Sequence, residues 1–206
     1  MCRTETILTE GPRRFQLVVS LAAAFGLMLA CGCGSSPAID LHGRVVFLGD
    51  SITARWHLQD FFRDQAINKG IEGQSAQQIA ARFNSDVIAL QPATVVILAG
   101  SNDVRAGTDL TVTRDAVATM VAMANASGIR PVVCTIPPMD GHMEDVKRYN
   151  DLLTTDPQVQ VSCDYFRALT DQQGNPLPAI LHDGLHPSAV GYLRMAVEIS
   201  GALGVQ

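Results

Sequence analysis

Two short runs of consecutive apolar residues constrain the fold of this chain more than any other feature. They are Val45 to Leu48 and Val95 to Leu98, and neither contains a polar residue. A strand without a polar face is covered on both sides, as in the centre of a parallel sheet. Amphipathic stretches separate these runs from others at 130–135 and 159–166, and from a weaker one at 65–69. This alternation predicts βα units around a parallel sheet in one α/β domain.

The apolar periodicity also predicts where strands and helices lie. The run at 159–166 alternates apolar and polar residues, which favours a strand at the edge of the sheet. The predicted helices share apolar residues spaced three or four apart: Ile79, Phe83 and Val87 after a Ser75 cap; Val112, Ala116, Met120 and Ala124 before a Gly128 stop; and Val190, Leu193 and Val197 in a helix that begins at Pro187.

Residues 1–30 have the layout of an export signal. Three arginines lie in the first fourteen residues, and residues 15–30 form an uncharged, mostly apolar run. A basic start and a short apolar run are typical of a secretory signal, whereas a membrane-spanning helix needs about 20 apolar residues. We therefore expect an exported protein.

The apolar run ends among small residues at Cys31 and Cys33. This segment resembles the lipobox of bacterial lipoproteins, in which a cysteine is acylated and becomes the new N-terminus. Either cysteine is a candidate for acylation. We expect a lipoprotein-type signal peptide at 1–30, a tether at 31–43 and one domain at 44–206, held on the periplasmic or cell-surface side of the membrane. An ordinary cleaved signal and an uncleaved anchor are the alternatives.

The charge balance argues against nucleic acid as a partner. The chain has 15 basic and 20 acidic side chains, a net charge of -5, and its basic residues form no run longer than the pairs Arg13-Arg14 and Lys147-Arg148. A nucleic-acid-binding surface needs clustered basic residues, so we expect none. An acidic body also has little attraction for anionic lipid, so we expect membrane contact only through a lipid anchor or the signal segment.

Two further cysteines, Cys134 and Cys163, each fall inside a predicted strand. Five cysteines are too few for a disulfide framework in a chain of this length, so we expect these two to be buried free thiols. A disulfide between them is the alternative, because sequence does not give the geometry that a disulfide requires.

Three residues have the chemistry of a nucleophile with its base. Ser51 follows the first predicted strand, at the edge of the sheet where active sites of such folds lie. A serine hydroxyl reacts only when a base takes its proton, and His186 is the candidate base. Asp183 lies three residues before it, so one loop carries both the imidazole and a carboxylate that can orient it. Pro187 keeps His186 out of helical geometry.

Attack by a serine on an ester creates an oxyanion, which needs preorganised N–H donors. Gly73, in the loop after the second strand, offers a backbone N–H that no Cβ obstructs. Asn102, after the third strand, offers a side-chain amide, and Ser51 offers its own N–H. We expect these three donors to form the oxyanion hole.

These blocks together resemble the SGNH, or GDSL-type, hydrolases. Gly-Asp-Ser at 49–51, Gly73, Gly-x-Asn-Asp at 100–103 and Asp-x-x-His at 183–186 occur in the family order, and the likeness covers residues 44–200. The resemblance implies a flavodoxin-like, three-layer α/β/α sandwich with a parallel five-stranded sheet. It also implies a lysophospholipase-like acylhydrolase that cleaves esters through a Ser-His-Asp triad and an acyl-enzyme, without a metal or another cofactor.

The substrate is less constrained than the reaction. The resemblance implies a small-molecule ester, a lipid or an acetylated carbohydrate. No long insertion separates the motifs, so we expect an open groove and a preference for short acyl groups. Trp56 is expected either in the core or lining an acyl pocket.

Two alternative functions stay open at this point. One is a metal-dependent phosphoesterase, since possible ligands follow the predicted strands: Asp50, Asn102, Asp103, His182, Asp183 and His186. The other is a non-catalytic, surface-anchored binding lipoprotein with the same fold.

Overall fold

The computed structural model describes residues 43–205, so the predicted signal peptide and the lipidation candidates Cys31 and Cys33 lie outside the described residues. Within that range, five parallel strands form one sheet in the order β2-β1-β3-β4-β5. The strands are β1 (Val45–Gly49), β2 (Ala66–Gly70), β3 (Thr94–Leu98), β4 (Arg130–Cys134) and β5 (Val161–Cys163). The predicted α/β fold with a parallel five-stranded sheet is confirmed.

The described range contains nine α-helices and two 3₁₀ helices, Arg63–Gln65 and Ile88–Leu90. The α-helices are α1 (Ser51–Ala54), α2 (Gln59–Phe62), α3 (Ala76–Ala81), α4 (Phe83–Asp86), α5 (Ser101–Ala106), α6 (Leu110–Ala126), α7 (Met143–Thr155), α8 (Tyr165–Leu169) and α9 (Ala189–Leu203). In the part of the chain that the structure describes, no helix combines the length and the apolar character needed to cross a membrane.

The two central strands are covered on both faces. Every residue of β1 and β3 is buried, as their unbroken apolar sequences predict. β2 and β5 lie at the two edges, and the edge position of β5 follows its alternating pattern. The prediction of a strand over 159–166 was too long, because Gln160 has a positive φ of 48° and Asp164 caps α8 through its side chain.

The helix between β2 and β3 begins as predicted and ends sooner. Ser75 caps α3 in a reciprocal capping box with Gln78. Ile79, Phe83 and Val87 are fully buried, but α3 and α4 share them instead of one continuous helix.

Helix α6 buries most of the face that its sequence predicts. Ala116, Met120 and Ala124 are buried, whereas Val112 in the first turn is 38% exposed, so its predicted burial was wrong. Gly128, with φ of 69°, follows the end of α6 as expected for a left-handed stop.

The last helix, α9, shows a different face to the core from the predicted one. It begins at Ala189 after a Ser188 cap, two residues later than predicted. Val190 and Val197 are 54% and 56% exposed and Leu193 is only half-buried, whereas the buried side chains are Met195, Ala196, Ile199 and Leu203. Gly191 explains the rotation: a Cβ there would lie 2.5 Å from the Ile180 carbonyl oxygen, so the helix approaches the chain on this side.

Cys134 and Cys163 are buried free thiols, as predicted. They are register partners on the neighbouring strands β4 and β5. Burial is the main cause that raises the pKa of the Cys163 thiol far above its usual range. A thiol held in its neutral form is a poor nucleophile, so we expect Cys163 to react slowly while the protein is folded.

The strand order places a switch point at β1. The chain passes from β1 to β2 on one side and later to β3 on the other. In open parallel sheets, ligands bind at the carboxyl ends of the strands where the order reverses. Ser51 follows β1 and Asn102 follows β3, so both lie at this switch point.

Candidate active site

Ser51 is the first residue of α1 and lies directly after β1. The Asp50 side chain caps this helix by accepting the Ile52 N–H at 2.9 Å, which fixes the turn that presents Ser51. The Ser51 Oγ lies 2.9 Å from His186 Nε2, although the two residues are 135 positions apart in the chain. Ser51 is 7% exposed, so the hydroxyl is sheltered from bulk water.

Asp183 makes three hydrogen bonds within the loop of His186, and two of them are to His186 itself. Its Oδ2 lies 2.8 Å from His186 Nδ1. Its Oδ1 accepts the backbone N–H groups of His186 at 2.8 Å and Leu185 at 3.2 Å. These bonds, led by the one from the His186 backbone, hold the pKa of the Asp183 carboxyl well below its usual range. The carboxylate therefore stays charged beside the imidazole.

A backbone bridge holds the same loop closed. His182 donates its N–H to the His186 carbonyl at 2.8 Å, and Leu181 pairs with Pro187 in an isolated bridge. The structure thus brings Ser51, His186 and Asp183 into one hydrogen-bonded chain, as their predicted roles require. Those catalytic roles stay predictions.

The predicted oxyanion donors lie on adjoining loops. Asn102 Nδ2 donates to the Gln74 carbonyl at 3.0 Å, which ties the start of α5 to the loop that contains Gly73. Gly73 has φ of 76°, in the left-handed region that favours glycine, and no atom lies within 4 Å of the position of a Cβ. One N–H of the Asn102 amide is left to bind another acceptor.

Asp103 braces the same loop from within. Its Oδ2 accepts the Ala76 N–H at 2.9 Å, at the start of α3, and the residue is buried. Burial is the main cause that raises its pKa. The side chains of Asp50 and Asp103 thus each support a loop at this edge of the sheet.

The buried Asp50 carboxyl group is hydrogen-bonded less completely than that of Asp103. Asp50 is fully buried, and burial raises its pKa to about 6. Its Oδ2 and the Ser101 Oγ are both buried without a hydrogen-bond partner that meets normal geometry. The hydrogen bond from the Ile52 N–H and the nearby Ser101 hydroxyl lower the pKa of Asp50, but by less than burial raises it. The charged carboxylate is therefore only partly compensated.

Two charged residues at the site were not predicted from the sequence. Arg55 donates to Glu72 through Nε at 3.0 Å and Nη2 at 3.4 Å. Arg55 Nη1 also lies 3.1 Å from His186 Nδ1 and 3.9 Å from Asp183 Oδ2. Arg55 follows Ser51 by four residues and Glu72 precedes Gly73, which is the only sequence signal that marks them.

Trp56 belongs to the core. It is 2% exposed and packs in an aromatic cluster with Phe47, Phe62, Tyr165 and Tyr192, whose ring centroids lie 5.5–6.1 Å from its own. A groove of about 390 Å³ lies beside this cluster. Its lining includes Arg55, Trp56, His57, Phe61, His182, His186 and Tyr192, so Trp56 packs in the core and also borders this groove.

The ligand set of the phosphoesterase alternative does not come together. Among residues 43–205, no group of three or more His, Cys, Asp or Glu side chains is placed to hold a metal ion.

A parallel sheet that carries a hydroxyl, an imidazole and a carboxylate in one chain at its carboxyl edge is the arrangement of a serine-type hydrolase. The chain belongs to the GDSL-like lipase/acylhydrolase family, whose model matches residues 47–194. The protein is therefore a hydrolase that acts on esters. A search of curated proteins gave no match.

Solved structures support the same assignment. A protein assigned as an acylhydrolase from Bacteroides fragilis is 30% identical, with a TM-score of 0.70 over 78% of this chain and 86% of its own. A GDSL-like lipase from Bacteroides thetaiotaomicron is 26% identical, with a TM-score of 0.70 over 89% and 96%. A catalytic mutant of an acetylxylan esterase from Geobacillus stearothermophilus shares the fold at 21% identity, with a TM-score of 0.65 over 81% and 96%.

Proposed function

We propose that the protein is a serine esterase that cleaves small carboxylic esters, acetyl esters above all, through an acyl-enzyme on Ser51. The hydrogen-bonded chain from Ser51 Oγ through His186 to Asp183 Oδ2, with distances of 2.9 and 2.8 Å, carries this proposal. With the Nδ1 proton held by Asp183, His186 Nε2 presents its lone pair to the Ser51 hydroxyl.

The reaction then follows from the positions of these groups. His186 takes the proton as Ser51 Oγ attacks the ester carbonyl, and the carbonyl oxygen becomes an oxyanion. The N–H groups of Ser51 and Gly73 and the Asn102 amide stabilise that charge. Protonated His186 gives its proton to the leaving alcohol, and a water molecule activated by the same imidazole releases the acid from Ser51.

The groove on the His186 side suits the alcohol part of the substrate. His186 lines this groove and must reach the leaving oxygen, so the alcohol extends into it. The lining combines the aromatic rings of Phe61 and Tyr192 with the polar side chains of His57 and His182, which fits a polar alcohol such as a sugar. The acetylxylan esterase that shares the fold makes acetylated sugars a logical part of a substrate panel.

A comparison of wild type with Ser51→Ala on p-nitrophenyl acetate tests the proposal. We expect the rate to fall about 10⁴-fold or more, because the variant has no nucleophile. Ser162→Ala, which removes an exposed hydroxyl on β5, is the matched control and should keep the wild-type rate. A serine-directed organophosphonate should abolish activity, and EDTA should leave it intact. Equal rates in wild type and Ser51→Ala would favour a binding protein, and inhibition by EDTA alone would favour metal-dependent chemistry.

The acyl preference needs a separate measurement. Rates across p-nitrophenyl esters from acetate to dodecanoate, together with acetylated sugars, should be highest for acetyl groups. Faster cleavage of dodecanoate than of acetate would contradict the short-acyl proposal.

A further inference from the structure

Arg55 faces the catalytic pair from the side of α1. Its Nη1 lies 3.1 Å from His186 Nδ1 and 3.9 Å from Asp183 Oδ2. Glu72 binds the other edge of the guanidinium through two hydrogen bonds. The pair therefore joins the helix of Ser51, the loop of Gly73 and the loop of His186.

Arg55 and Asp183 compete for hydrogen bonding to His186 Nδ1. A protonated Nδ1 donates to Asp183 Oδ2, whereas a guanidinium N–H could bind only an unprotonated Nδ1. Proton transfer from Ser51 requires the form bonded to Asp183, and it then creates an imidazolium with protons on both nitrogens. In that state the positive charge of Arg55 opposes the charge on the ring.

Four charged groups act on the His186 ring from the elements around it. Asp183 is on its own loop, Asp50 lies directly after β1, and Glu72 lies after β2; each of these carboxyl groups attracts an imidazolium when it is ionised, and Asp50, whose pKa burial raises to about 6, is ionised only in part near that pH. Arg55 is the cation that opposes them, and it contacts the ring directly. Removal of Arg55 would therefore leave the negative charges around the ring without the cation that now contacts it.

We propose that the Arg55–Glu72 ion pair sets the charge balance around His186, with Arg55 keeping the imidazole neutral, and thus able to accept the Ser51 proton, at lower pH. Arg55 acts through His186, so it is a positioning residue and not a catalytic one. This inference rests on the proposed triad. It assigns Glu72 the opposite effect, since its carboxylate offsets the charge of Arg55 and restrains its position.

The pH dependence of kcat/KM for p-nitrophenyl acetate tests this role, because its acid limb reports the base of the free enzyme. Arg55→Gln should move the midpoint of the acid limb up by about 0.5 pH unit, as an exposed ion pair permits, and Glu72→Gln should move it down by a similar amount. Arg55→Lys should keep part of the wild-type position, because Lys retains the charge without the two-point bond to Glu72. The shifts should shrink in 1 M salt, since Arg55 is 45% exposed.

The control is Arg148→Gln, which breaks an exposed ion pair with Asp145 on α7 and should leave the profile unchanged. A purely structural role for Arg55 would lower the rate equally at every pH and leave the midpoint in place, which would overturn the inference. A shift in the opposite direction would do the same. Ser51→Ala separates the two proposals: residual activity there refutes the triad, whereas an inactive Ser51→Ala with an unmoved Arg55→Gln profile refutes only the role of Arg55.

Discussion

Asp50 is a carboxylate kept in the interior immediately before the candidate nucleophile. Burial raises its pKa from 3.8 to about 6, so the folded state holds this proton more tightly than the unfolded chain does. Its contribution to stability is therefore most favourable below pH 4, declines as pH rises to about 6, and stays low above that. At about 1.4 kcal/mol per pKa unit, the decline is roughly 3 kcal/mol.

Asp50→Asn should remove this pH dependence while it keeps an oxygen acceptor for the Ile52 N–H. We expect the free energy of unfolding of the variant, relative to wild type, to rise by roughly 2–3 kcal/mol between pH 4 and pH 7.5. Urea unfolding at the two pH values measures it. Asp151→Asn, at an exposed position on α7, is the control and should follow wild type at both. If the free energies of unfolding of Asp50→Asn and wild type changed equally between the two pH values, burial would not raise the pKa of the Asp50 carboxyl.

Asn102 has two tasks that can be separated. Its amide nitrogen is the predicted oxyanion donor and braces Gln74, whereas its Oδ1 accepts a bond from Arg105. Asn102→Ala should lower kcat by about 10²–10³-fold with little change in KM, because the donor acts mainly in the transition state. Arg105→Ala removes only the contact to Oδ1 and should stay within a few-fold of wild type. A loss of less than tenfold in Asn102→Ala would mean that other donors suffice.

The candidate catalytic residues were easier to locate from the sequence than the residues that contact and support them. Ser51 follows an unmistakable buried strand, and Asp183 and His186 stand three residues apart before a proline, so short-range patterns carry the information. The contact of Arg55 with Glu72 depends on β1 and β2 being neighbours and on the rotamers of two long side chains. Neither of these is encoded in local spacing, so the pair emerged only from the structure.

At the scale of elements, α9 shows why periodicity located a helix and chose the wrong face. Its sequence is apolar around much of the circumference, so two apolar stripes, each made of residues three or four positions apart, could face the core. Val190, Leu193 and Val197 form one stripe, and Gly191, Met195 and Ile199 belong to the other. The close approach at Gly191 selects the second stripe, and this is a tertiary contact.

The corrected face of α9 predicts unequal effects of truncating two side chains that lie two residues apart in this helix. Met195→Ala removes a fully buried side chain and should lower the free energy of unfolding by about 2–5 kcal/mol. Val197→Ala, at a position 56% exposed, should change it by no more than about 0.5 kcal/mol. Urea unfolding at neutral pH compares them directly. A larger loss in Val197→Ala would mean that this face of α9 is covered in solution.

For the whole molecule, the sequence predicted which strands are central and which lies at an edge, because burial determines the apolar pattern of each strand. The two uniformly apolar strands had to be central and the alternating one had to be at an edge, and both expectations hold. The length of β5 did not follow, because the positive φ of Gln160 and the cap at Asp164 interrupt an otherwise regular alternation.

The location of the whole molecule in the cell is the last testable expectation. Three Arg and two Glu lie in residues 1–30, so the remaining residues carry twelve basic and eighteen acidic side chains, a net charge of -6. Such a body has no electrostatic attraction to anionic lipid, so we expect stable membrane association to come from acyl chains on Cys31 or Cys33. The full chain expressed in a bacterium should therefore stay in the membrane fraction through a 1 M salt wash and leave it in detergent. Replacement of both cysteines by Ala should release the protein, whereas Cys2→Ala should not, and mass spectrometry of the mature N-terminus identifies the acylated residue. A double variant that stays in the membrane would point to an uncleaved apolar anchor, and an unmodified mature N-terminus would point to an ordinary cleaved signal.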